Sequence, residues 1–252
     1  MNGTLLSVNN LSYIGEEMNN IHNLTFSLEY GENIVLFGPE NSGLDVIFSL
    51  IMGFIEDFDG EVLFKGKSVK DFDYVERHNF KKGIGYIHRD YGLISNMNVE
   101  ENISLPLQYH SQMSSVEIKK YVDMIIGDLN LESCKKFRPV NLTRSEILKT
   151  AYGRAIALNP DILLVEHAFE SQSPLNINSF WEELKKRAQL ENKAHIFITY
   201  EPEKYIDIAD TFIMLFGGRN VFSGSRDEFI NTNNPYIHQY KLKTTVGPMV
   251  LL

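Results

Sequence analysis

The stretch "IVLFGPENSGLDVIFSLI", residues 34–51, joins two apolar runs through a turn that carries glycine and proline. The first run stops at Gly38 and consists of residues that favour a buried strand. The second run begins at Leu44 and is long enough for a helix. Unalternated runs such as "ILLV" (162–165) and "IFIT" (196–199) indicate further strands covered on both faces. Strands that alternate with helices predict an α/β fold with a largely parallel sheet.

The same interpretation extends along the whole chain. The predicted strands are residues 4–8, 24–28, 34–37, 61–64, 84–87, 162–165, 196–199 and 212–215. The predicted helices are residues 44–53, 115–129, 145–158 and 176–189. Ser114 or Ser115 can cap the second helix, and Asn159-Pro160 ends the third. Residues 95–139 are helical and polar between β-rich flanks, which indicates an insert or a subdomain.

Composition excludes several classes of protein. A net charge of −9 argues against a nucleic-acid partner. The longest apolar stretch, residues 46–55, is too short to cross a bilayer, and "MNGTLLSVNN" does not read as a signal peptide. Cys134 is the single cysteine, so an internal disulfide is excluded and the cytosol is expected. No metal site is predicted, because His22, His78, His110 and His195 lack paired metal-ligand spacing.

The turn of the opening stretch matches part of a phosphate-binding loop. A working loop reads G-x-x-x-x-G-K-[ST] between a strand and a helix. Gly38 and Gly43 stand at the glycine positions, but Leu44 replaces the lysine and Asp45 replaces the Mg²⁺-binding hydroxyl. The ammonium that would reach the phosphates is therefore missing, and Glu40 adds a further negative charge.

Two interpretations of this turn remain open at the level of the sequence. A helix start has unpaired N–H groups and a positive dipole end, so Asp45 can supply the anion that phosphate would otherwise supply. Alternatively, "GPENSG" is an ordinary strand-to-helix turn and Asp45 is an ordinary helix-start residue.

Three longer runs carry a family resemblance. "DGEVLFKGKSV" (59–69), "NMNVEENISLPL" (96–107) and "RAIALNPDILLVEHAF" (154–169) occur in the order expected of an ATP-binding-cassette (ABC) transporter nucleotide-binding subunit. The chain resembles that family over nearly all of residues 4–230. The resemblance implies a P-loop NTPase-like cassette with a mixed or parallel sheet core, an antiparallel β-subdomain and an inserted helical subdomain. It implies a core at residues 1–94 and 150–230, a helical subdomain at 95–149 and a tail at 231–252.

By this resemblance, most positions that act on nucleotide in the family are altered. The Walker B Asp falls on Glu166, the general-base Glu on His167, the Q-loop Gln on Arg89, the switch His on Tyr200 and the D-loop Asp on Ser173. His167 could still accept a proton at neutral pH. Arg89 cannot coordinate Mg²⁺. The loop positions that would face nucleotide are Gly38, Asn41, Ser42, Gly43, Leu44 and Asp45.

The family's Leu-Ser-Gly-Gly-Gln signature falls on "LTRSE", residues 142–146. Thr143 keeps a hydroxyl, whereas Arg144 and Ser145 replace both glycines, and the bulk of Arg144 hinders close backbone approach. Arg144 either contacts phosphate by charge or faces solvent. Tyr13 occupies the aromatic position that stacks on adenine, or it covers the edge of the β-subdomain.

The resemblance therefore implies a cassette that is inactive as an ATPase. The expected role is a pseudo-ATPase that docks an integral-membrane permease and pairs with another cassette, as a hetero- or homodimer, on the inner face of the cell membrane. No bound cofactor is expected, although residual binding of ATP and Mg²⁺ stays open. One alternative is a divergent but active ATPase that energises transport, and a second is a soluble regulator unconnected to any membrane.

Within that family, the chain resembles the bacterial Mla or Mce lipid-transport cassettes. "YGLISNMNVEENISLPLQYH" (91–110) and the ending "NPYIHQYKLKTTVGPMVLL" (234–252) carry this closer likeness. It implies that Tyr236, Tyr240 and the apolar residues 249–252 anchor across a dimer interface. A frayed terminus is the other interpretation. Candidate contacts for the membrane subunit are Tyr91, Leu93, Ile94 and Met97.

Overall fold

The structure is a computed structural model that describes residues 3–15, 19–170 and 172–250, apart from the side chains at positions 176, 179 and 190. Its strands are β1 (Thr4–Tyr13), β2 (Ile21–Glu29), β3 (Asn33–Phe37), β4 (Asp59–Phe64), β5 (Lys67–Ser68), β6 (Ile84–Ile87), β7 (Ile162–Glu166), β8 (Ala194–Thr199), β9 (Thr211–Phe216) and β10 (Arg219–Ser225). Its helices are α1 (Leu44–Ile51), α2 (Tyr74–Lys82), α3 (Val99–His110), α4 (Ser115–Asp128), α5 (Arg144–Ile156), α6 (Pro174–Glu191), α7 (Arg226–Asn231) and α8 (Pro235–Leu242).

The chain divides into two compact units, one formed by Met1–Arg77 with Leu184–Leu252 and the other by His78–Glu183. In the first unit, β1, β2, β4 and β5 form an antiparallel sheet in the order β2-β1-β4-β5. A second group of strands surrounds β3, which pairs in parallel with β8 on one side and β9 on the other. Strand β10 pairs antiparallel with β9.

The core of the first unit follows from the apolar runs of the sequence. Every residue of β3 is buried, as is every residue of β8. Strands that are flanked on both sides and covered on both faces have no solvent-facing positions, so their sequences do not alternate. Phe37, the last residue of β3, packs its ring against the rings of Phe229 and Tyr240, with centroids 5.5 Å away in each case.

The second unit contains the parallel pair β6 and β7 and the helices α3, α4 and α5. Helix α4 buries Ile118, Val122, Ile125 and Ile126, a spacing of three to four residues that makes one apolar face. Capping boxes fix the starts of all three helices, at Asn98, Ser114 and Thr143. The prediction that Ser114 or Ser115 caps α4 is confirmed for Ser114.

The predicted fold class is confirmed, and the differences lie at the element ends and in short elements. Strand 84–87 has the predicted bounds, and helix α5 ends at Ile156, before Asn159-Pro160. Helices α2, α7 and α8 were not predicted, and α3 was included only in the helical segment 95–139, without bounds of its own. Only Phe80 of α2 is buried, so its sequence carries little apolar periodicity, and α3 contains Pro106. The division into a core and a helical subdomain at 95–149 stays a prediction.

Candidate functional site

The loop between β3 and α1 needs glycine at both ends for steric reasons. An added Cβ at Gly38 would lie 2.2 Å from the carbonyl oxygen of Leu215. Gly43 has φ +86°, and an added Cβ there would lie 2.5 Å from the carbonyl oxygen of Asn20. An approach this close leaves no room for a side chain at either position, and the backbone angle of Gly43 is one that glycine adopts more readily than other residues. The two glycines predicted for a phosphate loop are therefore explained by the packing of the first unit.

The rest of this loop lacks the lysine and the hydroxyl that follow the second glycine of a working phosphate loop. Leu44 begins α1 and is 3% exposed, so its side chain belongs to the apolar core. Asp45 is exposed in the first turn of α1, where Gly43 supplies no side-chain cap. Asn41 is exposed with φ +60°, and Ser42 is buried, with its carbonyl oxygen accepting from the Gly218 N–H. Residues 38–45 contain no lysine or arginine.

Glu166, at the end of β7, lies in a pair with Arg89. Glu166 is 6% exposed, and its Oε1 accepts from Arg89 Nε at 3.1 Å and from Arg89 Nη2 at 2.9 Å. Its Oε2 accepts from the Tyr86 hydroxyl. Burial and the bond to Glu166 raise the pKa of Tyr86 well above its ordinary value, so the phenol stays a donor. Both oxygens of Glu166 are thus occupied by donors from the chain, and its charge is balanced by a guanidinium.

His167, the next residue, forms a second pair with Glu170. His167 is 7% exposed and has φ +50°, and its Nδ1 lies 2.6 Å from Glu170 Oε1. A carboxylate at this distance fixes the orientation of the imidazole and favours the tautomer with the proton on Nδ1. The pair is therefore a carboxylate–histidine dyad of the type that general-base catalysis uses.

The start of α5 is capped by the chain itself. Thr143 Oγ1 accepts from the Glu146 N–H at 3.3 Å, and Glu146 Oε2 accepts from the Thr143 N–H at 2.7 Å and from the Thr143 hydroxyl at 2.8 Å. The backbone and side-chain bonds from Thr143 lower the pKa of Glu146. Arg144 is exposed and Ser145 half-buried. The helix start that was predicted to face phosphate therefore already carries an anion.

Tyr200 and Tyr13 lie in the first unit. Tyr200 follows β8, and its carbonyl oxygen accepts from the Tyr240 hydroxyl at 2.9 Å. The same hydroxyl lies 3.1 Å from the carbonyl oxygen of Gly38. Tyr13 is half-buried at the end of β1, where it pairs with Ile21. Tyr13 thus lies at a strand end, and its stacking role stays a prediction.

The tail of the chain packs on its own unit. Gln239 is 1% exposed, and its side chain accepts from the Met249 N–H at 2.7 Å and donates to the Met249 carbonyl oxygen at 2.9 Å. Met249 is 2% exposed. Tyr240 and Met249 thus make contacts within the chain, and the expected anchoring across a dimer interface stays a prediction. Leu251 and Leu252, which end the predicted anchor, lie outside the described residues.

Comparison with known proteins decides the family. The family model described as "ABC transporter" matches residues 21–170, more than half of the chain. The chain belongs to the ABC transporter family. The match covers both the loop after β3 and the strand β7 with Glu166.

This ABC cassette has relatives of known role at low identity. It is 22% identical over 249 residues to the intermembrane phospholipid transport system ATP-binding protein MlaF of Haemophilus influenzae, covering 99% of this chain and 94% of that protein. It is 23% identical to MlaF of Escherichia coli K12, covering 90% of this chain and 84% of that protein. It is 26% identical to a molybdate/tungstate import ATP-binding protein of Thermococcus kodakarensis, covering 81% of this chain and 60% of that protein.

Solved cassettes share the fold. The cbiO1 protein from Clostridium perfringens matches with a TM-score of 0.80 at 18% identity, covering 92% of each chain. The dimeric ADP- and phosphate-bound cassette MJ0796 matches with a TM-score of 0.77 at 23% identity, covering 88% of this chain and 99% of that one. Within the described residues, no helix is both long and apolar enough to span a membrane.

The residues of this ABC cassette do not fit a Mg²⁺-nucleotide. Mg²⁺ takes oxygen ligands and water. In the second unit, the oxygens of Glu166 are instead bound to Arg89 and Tyr86. In the first unit, Leu44 stands where a P-loop lysine would stand.

The structure also reveals polar residues that sequence reasoning missed. Four polar side chains form hydrogen bonds either to a predicted site residue or to the segment that contains such a residue. They are Tyr86, Asn102, Arg154 and Gln172. Asn102 is fully buried, and Gln172 is 7% exposed. Buried amides are a signal of a hydrogen-bonded role, but their partners lie far away in the sequence and cannot be read from it.

Proposed function

We propose that this chain is a catalytically silent ABC cassette subunit that pairs with another cassette and docks a membrane permease. The observation that carries the proposal is the Arg89–Glu166 pair. A guanidinium held by two hydrogen bonds to a carboxylate that is almost fully buried is a strong interaction. A metal ion would have to displace it from oxygens that the chain has already satisfied.

The loss of several groups supports the silent interpretation. Phosphoryl transfer depends almost wholly on positioning and on charge that is fixed in advance. Removal of one such group costs on the order of 10²–10³ in rate. This chain has Leu44, Asp45, Arg89 and Tyr200 where the family carries a lysine, a hydroxyl, a glutamine and a histidine. Such losses are not additive, yet together they remove most of the electrostatic stabilisation that phosphoryl transfer needs.

The helix start at Thr143 extends this proposal to a dimer. In ABC dimers each site combines the P-loop of one chain with the signature segment of the other. Glu146 already fills the helix start at Thr143 with a carboxylate, which would repel the phosphate of a partner's nucleotide. Pairing with an intact cassette would therefore leave both composite sites weakened. This chain would act in the dimer mainly through its shape and its contacts.

Lipid transport is the cargo class that we propose. Two of the relatives are named as ATP-binding proteins of an intermembrane phospholipid transport system, and one of them matches along almost the whole of both chains. We propose that the permease docks against the segment with Leu93, Ile94 and Met97. Ile94 is 39% exposed, and Leu93 and Met97 are half-buried. Tyr91 is bound within the chain through its hydroxyl and is the least suited of the four.

One observation favours the second candidate, a divergent but active ATPase. The His167–Glu170 dyad follows β7 at the position of the family's general base. A histidine whose orientation is fixed by a carboxylate can take a proton from water. This alternative requires that a nucleotide binds despite the composition of the loop at residues 38–45.

Mg²⁺-dependent ATP turnover by the purified chain separates the two candidates. We expect no turnover above the background of a mock preparation, with an intact cassette as the positive control. The matched variant is His167→Ala. Turnover by the wild-type chain that disappears in this variant would establish the active alternative. Co-purification of the native chain with a permease and a second cassette tests the docking part of the proposal.

A further inference from the structure

Gln172 joins three segments of the second unit that are distant in sequence. It lies in the segment after β7 and is 7% exposed. Its Nε2 donates to the Tyr91 hydroxyl oxygen at 3.1 Å, in the segment after β6. The same Nε2 lies 3.3 Å from the carbonyl oxygen of Arg144, in the first turn of α5. One amide group therefore connects the segments that follow the two strands with the start of the helix.

Tyr91 and Arg154 complete these contacts. The Tyr91 hydroxyl donates to the carbonyl oxygen of Ala168 at 3.0 Å. Arg154 Nη2 donates to the Tyr91 carbonyl oxygen at 2.9 Å, and its Nη1 donates to the Gly92 carbonyl oxygen at 2.7 Å. Tyr91 has φ +61°, a conformation that a bulky residue adopts only when its surroundings hold it there. Both the side chain and the backbone of Tyr91 are thus fixed from elsewhere in the unit.

Asn102 fixes the next part of the same segment. This residue of α3 is fully buried. Its Oδ1 accepts from the Ile94 N–H at 2.9 Å, and its Nδ2 lies within 3.2 Å of the carbonyl oxygens of Ile94, Met97 and Asn98. Side chains of the chain itself therefore hold residues 89–98 along most of their length.

We infer that Gln172 is a positioning residue that, with Tyr91 and Arg154, locks residues 89–98 and the first turn of α5 in one arrangement without any bound ligand. We call this set of contacts the Gln172 lock. It is built from neutral hydrogen bonds and one arginine bound to carbonyl oxygens, so it needs neither metal nor phosphate. Together with the Arg89–Glu166 pair it ties the end of β6 to the end of β7.

The consequence concerns the surface that carries Ile94 and Met97. This consequence rests on the proposed function: a silent cassette would present the surface in a fixed conformation to its partner, whatever the nucleotide state of the other cassette. The lock itself follows from the contacts alone. Its existence and its consequence can therefore be tested separately.

Hydrogen exchange of the full chain tests the Gln172 lock. In Gln172→Leu we expect amide exchange to quicken by about 2- to 10-fold both in residues 89–98 and in the first turn of α5, as the loss of one or two hydrogen bonds implies. Tyr91→Phe keeps the ring and removes only the hydroxyl. It should quicken exchange in residues 89–98 and leave the first turn of α5 unchanged. This two-segment pattern is one that a general loss of stability would not produce.

The matched control is Gln112→Leu, because Gln112 is an exposed glutamine in the same unit. In Gln112→Leu, amide exchange in residues 89–98 and in the first turn of α5 should equal that of the wild type. Wild-type rates in both segments of Gln172→Leu would overturn the lock, as would an effect limited to the neighbours of residue 172. If Gln172→Leu does not fold, Tyr91→Phe decides: unchanged exchange in residues 89–98 would overturn the inference.

Addition of Mg-ATP to the wild-type chain separates the lock from the proposed function. We expect exchange in residues 89–98 to be the same with and without Mg-ATP, which supports the fixed surface. A change on addition would contradict the silent cassette and the fixed surface. The comparison of the variants without nucleotide would still decide whether the lock exists.

Discussion

At the scale of single residues, this chain supplies from its own side chains the charges that a ligand would otherwise supply. Arg89 places a cation on Glu166, and Glu146 places an anion at the start of α5. Glu166 is almost fully buried, whereas Arg89 is exposed and Glu146 is half-buried, and each of the three has a defined partner. The charged groups of the site are thus paired with charged or polar groups of the chain itself. This pairing distinguishes the site from an ordinary protein surface.

Arg89→Gln should destabilise the chain because Glu166 would keep its burial and lose its cation. Glutamine can return one hydrogen bond but no charge, so we expect a loss of about 1–3 kcal/mol in the free energy of unfolding. Urea denaturation at neutral pH measures it. The control is Arg144→Gln, an exposed arginine of the same unit, which should change stability by less than about 0.5 kcal/mol. Equal effects of the two changes would contradict the assigned pairing.

His195 should make the chain sensitive to acid. It is fully buried, and burial followed by the nearby charge of Arg187 lowers its pKa to about 3. A histidine with a pKa below its unfolded value of about 6.5 favours folding while it is neutral, and this contribution is lost as the pH falls below about 6.5. Between pH 6.5 and 5 the loss should be about 1.5 kcal/mol.

The measurement is the free energy of unfolding in urea at several pH values for the wild type and for His195→Leu. The variant is expected to be less stable overall, because the Asn33 side chain loses its partner on His195 Nδ1. Its stability should nevertheless fall less steeply between pH 6.5 and 5. Parallel curves for the two proteins would show that His195 titrates near its ordinary pKa.

At the scale of elements, the hydroxyl of Tyr240 in helix α8 connects this helix to the loop after β3. The Tyr240 hydroxyl lies close to the carbonyl oxygens of Gly38 and Tyr200, and its ring packs on Phe37. The end of the chain is thereby connected to the loop that the family uses for nucleotide.

Tyr240→Phe should cost about 1 kcal/mol, the usual net contribution of such a hydrogen bond. Tyr236→Phe is the matched control, because its ring lies near Phe216 and no hydrogen bond of its hydroxyl is seen within the described residues. Its unfolding midpoint in urea should equal that of the wild type. If the two variants are equally stable, the Tyr240 hydroxyl does not hold the tail.

The helices and strands also show how much of the structure could be predicted from the sequence. Strands such as β3, β7 and β8 were predictable because runs of buried apolar residues are local signals. The bounds of helix α3 were not predictable within the helical segment 95–139, because Pro106 and its polar positions obscure the pattern. The two glycines of the loop and its missing lysine were predictable because they lie within one short stretch, residues 38–45. The Arg89–Glu166 contact was not, because its partners are 77 residues apart and only the fold brings them together.

At the scale of the whole molecule, family membership and activity are separate conclusions. The family match and the solved cassettes establish the fold. Folds host many functions, so activity has to be argued from the groups at the site. Those groups support the proposal of a subunit that contributes structure and contacts to an assembly.

Calorimetric titration of Mg-ATP into the purified chain tests the central claim most directly, with an intact cassette as the positive control. Because the cation on Glu166 is Arg89 and the loop has no lysine, we predict no saturable heat up to a nucleotide concentration of about 1 mM, which corresponds to a binding free energy weaker than about −4 kcal/mol. Stoichiometric binding that requires Mg²⁺ would contradict the account.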